Sequence, residues 1–411
     1  MPYIWRGIRL PEPSRRRLRF WQAAAIIAAG SAWLAADTEP PFVQRFRIVF
    51  GNLHAHTAFS DGSGFPDEAF AHARQQGLDF MGISEHNHTN QIRPKDPPGG
   101  DTIGSDPELY TTLRNNAATA TQDGIFVALF GQEYSTITSG GNHTNIFGLN
   151  VVIDEEEVPN GAYRQLYEEF LPAHPETQFL QFNHPFDNST SRSYGLDQFS
   201  GRANRLRAAS ERWLRTIEVI NGPGTKNETD LKAEVKGEAR YRFYLTRGFR
   251  LAPVADQDNH FRTWGNLTGA RTGCLVENLS LTRLLEAIRA RRCYASTDRN
   301  LKLWFGVNGE VSGSQINAAS RTLKIQYKIE DPDPDDIDAV YRIQIVHGNP
   351  RIADSADTVT MPQTPGGNHS REFEFTTGHN QTFLYLRITQ HPQSESNRDE
   401  VVSAPVWILV P

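Results

Sequence analysis

Histidine and carboxylate side chains recur in this sequence at spacings that suit a metal ion. His54 and His56 sit one residue apart in Leu53-His54-Ala55-His56. In an extended segment residues i and i+2 point the same way, so both imidazoles can reach one ion. Asp61 follows in Ser60-Asp61-Gly62, where glycine permits a tight turn. His86 stands in Ile83-Ser84-Glu85-His86-Asn87-His88, Glu133 in Gly131-Gln132-Glu133, and His143 in Gly141-Asn142-His143-Thr144-Asn145. His184 lies in Phe182-Asn183-His184-Pro185, and Asp258 and His260 lie in Asp256-Gln257-Asp258-Asn259-His260. Buried together without a cation, six imidazoles and three carboxylates would be costly. Divalent cations bind neutral imidazole and carboxylate and neutralise the negative charge. A lone histidine of this kind is ordinarily hydrogen-bonded structure, so it is the grouping that gives the set chemical meaning.

The elements that must position these residues are short apolar runs. Candidate strands are 47–53, 80–84, 125–130, 145–152, 179–182, 216–220 and 251–255. Most of the candidate ligands fall at or just past the end of one of them; His143 falls just before one. Helical patterns at 67–76, 163–171 and 281–292 lie between several, and the last repeats Leu281, Leu284, Leu285 and Ile288 at helical spacing. Strand–helix alternation implies parallel strands with crossovers, for which a closed barrel is the common large solution. The C-terminal strand ends of such a barrel form one rim, where active sites sit. Residues 92–109, rich in Pro, Gly and Asp, read as a long loop, either a substrate wall or a surface insertion.

From Leu301 onward the texture changes. Strands are expected at 301–307, 323–329, 339–346, 372–376, 382–389 and 401–409, several with alternating polar and apolar residues, and no helical pattern interrupts them. This predicts a small antiparallel β-sandwich. The expected organisation is an N-terminal signal segment at 1–40, a metallohydrolase barrel at 45–300 and a β-sandwich domain at 301–411.

Composition bounds the function. The 411-residue chain has a net charge of −6 and no long basic tract. That argues against a dedicated nucleic-acid binder, though not against a nucleotide substrate. Two cysteines, Cys274 and Cys293, form no CxxC, so a cysteine zinc site is not expected. They are either two buried thiols or one disulfide, which needs an oxidising compartment. The N-terminus makes that compartment reasonable. Residues 14–20, SRRRLRF, precede a mostly apolar run at 21–36 that ends in Ala35 and Ala36. This is the pattern of a signal peptide, and the run is short for a membrane span. Leu34 leaves an uncleaved signal anchor open, and Ser14-Arg15-Arg16-Arg17-Leu18 loosely resembles a twin-arginine export signal. The expected location is exported, periplasmic or extracellular, with membrane contact only through this segment if it stays uncleaved.

The ordered set His54-x-His56-x4-Asp61-Gly62, Ile83-Ser84-Glu85-His86-Asn87, Gly131-x-Glu133, Asn183-His184-Pro185 and Asp258-Asn259-His260 resembles the polymerase and histidinol phosphatase (PHP) superfamily over about residues 47–300. Each motif alone is weak; the order is specific. The resemblance is greatest to the carbaryl and carbofuran hydrolase branch. It rests there on Gly141-Asn142-His143-Thr144-Asn145-Ile146-Phe147-Gly148, on Glu218-Val219-Ile220-Asn221-Gly222, and on a trailing domain opening Leu303-Trp304-Phe305-Gly306-Val307-Asn308-Gly309.

The resemblance implies a distorted seven-stranded (βα) barrel with two or three divalent ions, zinc, manganese or iron. By resemblance, His54, His56, Glu133 and Asp258 hold one ion. Glu133 bridges to a second held with His143 and His184. Asp61, His86 and His260 hold a third. Glu85 replaces the family's more usual aspartate and is expected to orient His86. Asp256 either plays a similar part or caps its strand end.

The expected chemistry is hydrolysis by a metal-activated water. The expected substrate is a small molecule carrying a phosphoester, whether a phosphomonoester, nucleotide or phosphodiester. The alternatives are a carbamate, ester or amide hydrolase, and a secreted binding module with a non-catalytic metal site. His88 could bind substrate or protonate a leaving group. Arg262, Arg93, Lys95 and Arg192 are the cations that could meet a phosphate, with Arg262 foremost. Nothing in the sequence sets an oligomeric state.

Overall fold

The computed structural model describes residues 39–88, 95–134, 143–185, 194–333, 339–365, 367–394 and 398–411. Residues 1–38 of the expected signal segment, with Arg93 and Arg192, lie outside the described residues.

Nine strands build the sheet that carries the candidate residues. They are β1 (Arg47–Asn52), β2 (Phe80–His86), β3 (Val127–Tyr134), β4 (Thr144–Phe147), β5 (Phe179–Phe182), β6 (Leu214–Ile220), β7 (Ala252–Ala255), β8 (Arg271–Val276) and β9 (Cys293–Ser296). Their order is β9-β8-β1-β2-β3-β4-β5-β6-β7. β1, β2 and β3 pair in parallel, as do β5, β6 and β7. β4 is antiparallel to both its neighbours, and β8 is antiparallel to β1 and β9. Seven strands therefore share one direction, and β4 and β8 oppose it. β7 returns against β8, where Ala255 N donates to Thr272 Oγ1 (2.8 Å) and Thr272 Oγ1 to Ala255 O (3.0 Å). The sheet thus curls into an α/β barrel, with side-chain bonds at this seam.

The expectation of uniformly parallel strands needs two corrections. β8 and β9 are additional strands, and β4 reverses. Periodicity alone could not place β8 and β9, because all ten of their residues are buried and no alternation marks them. Cys274 and Cys293 are register partners on these strands and are joined by a disulfide.

Helices cover the barrel. Pro66–Gln75 turns Ala69, Phe70 and Ala73 inward. Pro107–Ala120 begins within the stretch read as loop. Asp106 caps it by accepting from Glu108 N, and Pro107 occupies its first turn. Both are helix-start signals that composition had masked.

Beyond β9 lies the β-rich region. Glu310–Val311, Lys302–Val307, Thr322–Glu330 and His369–Thr376 form one antiparallel sheet. Val340–Gly348, Gln381–Gln390, Glu400–Val402 and Val406–Leu409 belong to a second. Leu323, Ile325 and Tyr327 of the first sheet share a core with Ile343, Ile345, Leu384 and Leu386 of the second, as in a sandwich. The strand expected at 401–409 is broken in two at Ser403-Ala404-Pro405, where proline has no N–H to give the ladder. Val401 and Val402 pair with Ser296 and Ala295, so the second sheet continues the barrel's own. Among the described residues no helix is long and apolar enough to cross a membrane.

Candidate metal centre

β1, β2, β3 and β7 deliver their ends to one place, and the loops that follow add Asp61, Asp258 and His260. Glu133, 1% exposed, stands at the centre. Its Oε1 lies 3.2 Å from His54 Nε2, 3.1 Å from His143 Nδ1 and 3.3 Å from His184 Nε2. Its Oε2 lies 3.4 Å from His56 Nε2 and 3.1 Å from His86 Nδ1. Asp258 Oδ1 is 3.2 Å from both His54 Nε2 and His56 Nε2, which are themselves 3.2 Å apart. On the far side of His56, Asp61 Oδ1 meets His260 Nε2 at 3.3 Å and His86 Nε2 at 3.7 Å. The rings of His86 and His260 stack on His56 at 4.5 and 4.3 Å. All nine side chains singled out from the sequence converge. Donor atoms fall into overlapping groups: His54, His56, Glu133 and Asp258; His56, Asp61, His86 and His260; and His86, Glu133 and His143.

Hydrogen bonds on the outer ring nitrogens show what the inner ones can be. His54 Nδ1 lies 2.7 Å from Glu218 Oε1, an acceptor, so Nδ1 carries a proton. In the neutral ring Nε2 is then a lone pair, yet it faces two carboxylate oxygens at 3.2 Å. His260 Nδ1 donates to the Asp258 carbonyl at 2.7 Å, which leaves its Nε2 lone pair facing Asp61 Oδ1. Asp61 Oδ1 accepts no hydrogen bond among the described residues. Lone pairs set against carboxylates repel unless a proton or a cation lies between them. Protons cannot serve throughout, because His54 Nε2 and His56 Nε2 face each other at 3.2 Å. A tetrahedral ion about 2.05 Å from each ligand atom separates its ligands by roughly 3.3 Å. The distances from His54 and His56 to each other, to Asp258 Oδ1 and to the Glu133 carboxylate fit that spacing, so the residues present suit a divalent ion.

The surroundings fix this arrangement. Glu218 is fully buried, and its Oε2 also accepts from Asn221 Nδ2 (2.7 Å) and His184 N (2.5 Å). Asn183 Nδ2 donates to Glu133 Oε1 at 2.8 Å and to Asn145 Oδ1 at 2.7 Å. Asp256 accepts from Leu53 N at 2.5 Å and from Gln181 Nε2 at 2.8 Å, tying β7 to β1 and β5. Burial, and then the Glu218 carboxylate, push Asp256 above the usual carboxylate range. His184 and Asp258 adopt left-handed backbone, at φ 32° and 48°. Such strain in non-glycine residues gathers where geometry is functionally constrained.

Several expectations change here. Glu85 does not orient His86. Its carboxylate takes Thr57 N at 3.0 Å, the Thr57 hydroxyl and the Ser60 hydroxyl, because neighbouring strand residues point to opposite faces. Burial raises the Glu85 carboxyl despite those bonds. Gly62 matters for closeness: a Cβ there would lie 2.7 Å from the His56 carbonyl carbon. Glu218 was not among the sequence-derived ligands. Its signal was the Glu218-Val219-Ile220-Asn221-Gly222 motif on a buried strand.

His88 is 3% exposed and stacks on His86 at 4.9 Å, with no hydrogen-bond partner at either ring nitrogen among the described residues. Arg262 lies at the exposed rim, paired with Asp96 and 3.6 Å from Glu68. Lys95 is buried and donates to Asp101 O at 2.6 Å.

No family model matches the chain, and no curated protein does. Among solved structures it is similar to a two-domain protein containing a predicted PHP-like metal-dependent phosphoesterase from Bacteroides vulgatus ATCC 8482. That match has 15% identity and a TM-score of 0.44, over 86% of this chain and 93% of that one. It is also similar to an amidohydrolase from Chromobacterium violaceum, at 13% identity and a TM-score of 0.29, over 51% of this chain and 87% of that one. A lesion-specific endonuclease from Pyrococcus furiosus matches at 12% identity and a TM-score of 0.31, over 59% of this chain and 56% of that one.

Proposed function

We propose that the chain is a metal-dependent hydrolase of the PHP type that cleaves a phosphoester in a small molecule. The observation that carries this reading is the pair of pinned tautomers, His54 by Glu218 and His260 by the Asp258 carbonyl, each aiming a lone pair at a carboxylate. His54, His56, Glu133 and Asp258 would hold one ion; Glu133, His143 and His184 a second; Asp61, His86 and His260 a third. Zinc, manganese or iron suits these nitrogen and oxygen donors, and when bound supplies an activated water and a charge for the substrate's oxygens.

The chain's own groups do the rest. Glu218, Asn183 and Asn145 hold the donors in place. His88 has two ring nitrogens without a partner among the described residues, beside the centre, and would bind substrate or give a proton to the leaving group. Glu133 belongs to two of the donor groups, so it could help hold two ions side by side; paired ions would supply charge for the oxygens of a phosphoryl group, which supports a phosphoester. We propose too that the chain is exported through its N-terminal segment, which the Cys274–Cys293 disulfide favours.

Metal content of the purified protein comes first. Hydrolysis of p-nitrophenyl phosphate, bis-p-nitrophenyl phosphate and 1-naphthyl carbamate then follows. The expected outcome is two or three ions per chain and turnover of a phosphate ester, with at least one ion and the turnover lost in His54→Ala and Asp258→Ala. His88→Ala should keep the metal and lose roughly 10²–10⁴-fold in turnover. Turnover of the carbamate alone selects the carbonyl-hydrolase reading, and full metal with no turnover selects a binding module. A mature chain beginning near residue 37 would establish export with cleavage.

A further inference from the structure

A second cluster of oxygen donors lies where the barrel meets the β-rich region, and it shares no residue with the histidine centre. Asp298 follows β9, and Asp331 and Asp333 lie in the turn after Thr322–Glu330. One carboxylate oxygen from each lies within 4.8 Å of the others. Asp298 and Asp331 are each 7% exposed. Neither Asp298 nor Asp333 makes an ion pair with lysine or arginine among the described residues. Asp399 is close by, accepting from Thr297 Oγ1 at 2.7 Å.

Acidic residues gather on many surfaces without an ion, and the independent observation here is an amide. Gln390, at the end of Gln381–Gln390, is 1% exposed, and its Oε1 has no hydrogen-bond partner among the described residues. Its Nε2 is 2.8 Å from Asp331 Oδ2, so the stranded carbonyl oxygen belongs to an amide head seated at the cluster. Asn300 repeats the pattern: Nδ2 donates to Asp333 Oδ1 at 2.7 Å, and its buried Oδ1 has no partner among the described residues. A buried carbonyl oxygen left without a donor needs a physical explanation. Rotating either amide by half a turn exchanges its oxygen and nitrogen. Oxygen would then face carboxylate, which is repulsive alone and favourable around a cation.

We propose that Asp298, Asp331, Asp333, Gln390 and Asn300 form a calcium site. The donors are all oxygen, from carboxylates and side-chain amides, which is the set calcium takes and zinc or iron does not prefer. Calcium holds its ligands at roughly 2.3–2.6 Å, so donors of one ion lie no more than about 5 Å apart. The spacing of the three carboxylates meets that limit. The ion would join three segments: the exit of the barrel's last strand, a turn of one β-sheet and a strand of the other. Its role is to fasten the two regions together, separate from the chemistry at Glu133.

The test is a calcium titration of the full chain with its histidine centre already loaded, followed by calorimetry and thermal unfolding. Wild type should bind one calcium per chain, with a Kd of roughly 10⁻⁴–10⁻³ M or tighter, and gain several degrees in Tm. Asp331→Asn with Asp333→Asn should weaken binding at least tenfold and abolish the gain, while hydrolysis of the best substrate is unchanged. Gln390→Met keeps the size and charge but removes the amide, and should also weaken binding at least tenfold. If the double variant does not fold, Gln390→Met and Asn300→Ala give the reading. The proposal is overturned if wild type binds no calcium at millimolar concentration, or if Gln390→Met binds as wild type does.

Discussion

At the scale of single residues, the centre depends on how protons are assigned to its imidazoles. Glu218 decides this for His54, and it does so without touching the position an ion would occupy. Glu218→Gln keeps the size of the side chain and removes its charge. Buried outer carboxylates of this kind raise the basicity of a ligating histidine and fix its tautomer. The expected loss is about 10–100-fold in metal affinity, with the far-ultraviolet spectrum unchanged. Equilibrium dialysis against a competing chelator measures it, and wild-type affinity in Glu218→Gln would remove Glu218 from the account of the site. Most of the donors themselves were legible in the sequence, because they recur together at or near the ends of the expected strands, although each alone would read as structure. The direction of Glu85 was not. A one-residue step along β2 turns a side chain to the opposite face, and a motif does not say which face the strand presents.

At the scale of elements, two local arrangements make the rim. Gly224 packs so tightly on the loop after β7 that a Cβ there would lie 1.7 Å from the Asp258 carbonyl oxygen. Gly224→Ala must therefore push away a segment already in left-handed backbone. The cost is expected at about 1–3 kcal/mol of stability, in line with overpacked sites. Metal content should fall with it, read by elemental analysis after gel filtration. An unchanged ion count would show that Asp258 does not need this packing.

The second arrangement is the β8–β9 pair, whose Cys274–Cys293 bond closes a loop over a separation of 19 residues. Thiol titration of denatured, unreduced protein should find no free cysteine. Loss of the bond in Cys274→Ala with Cys293→Ala should cost about 3 kcal/mol. Two titratable thiols in unreduced protein would contradict the pairing. The sequence left these cysteines open between thiols and disulfide, since spacing alone does not bring two strands into register.

At the scale of the molecule, the barrel and the β-rich region are bound by more than a linker. Phe42, Phe46, Phe50 and Leu275 lie in the same core as Phe305, Ile325 and Leu386, and Trp304 Nε1 donates to Phe46 O at 2.8 Å. A chain stopped after residue 300 would uncover those aromatic rings and leave the edge of β9 unpaired. Such a truncation should be recovered mainly as aggregate, because an apolar patch and an open strand edge both invite association. A soluble, cooperatively unfolding fragment would show that the barrel stands alone.

Ion removal acts on the whole chain as well. A ligand present at 100 times its Kd stabilises the folded state by about 2.7 kcal/mol, so a chelator should lower Tm and zinc or manganese should restore it. His54→Ala should recover less, because it loses one of the proposed ions. Equal Tm with and without chelator would mean that the centre holds no ion.

The sequence by itself determined the donor set, the strand–helix character of residues 45–300 and the all-β character of the residues after them. These follow from side-chain chemistry and local periodicity, which need no knowledge of distant contacts. Only the tertiary structure decided that β4 and β8 run against the other strands, that Val401 continues the sheet of β9, and that Cys274 meets Cys293. It also decided that Glu218 turns to His54 and Glu85 to the Thr57–Ser60 turn. Each of these joins residues far apart in the chain. Buried strands with apolar residues on both faces carry no local mark of their partner or direction.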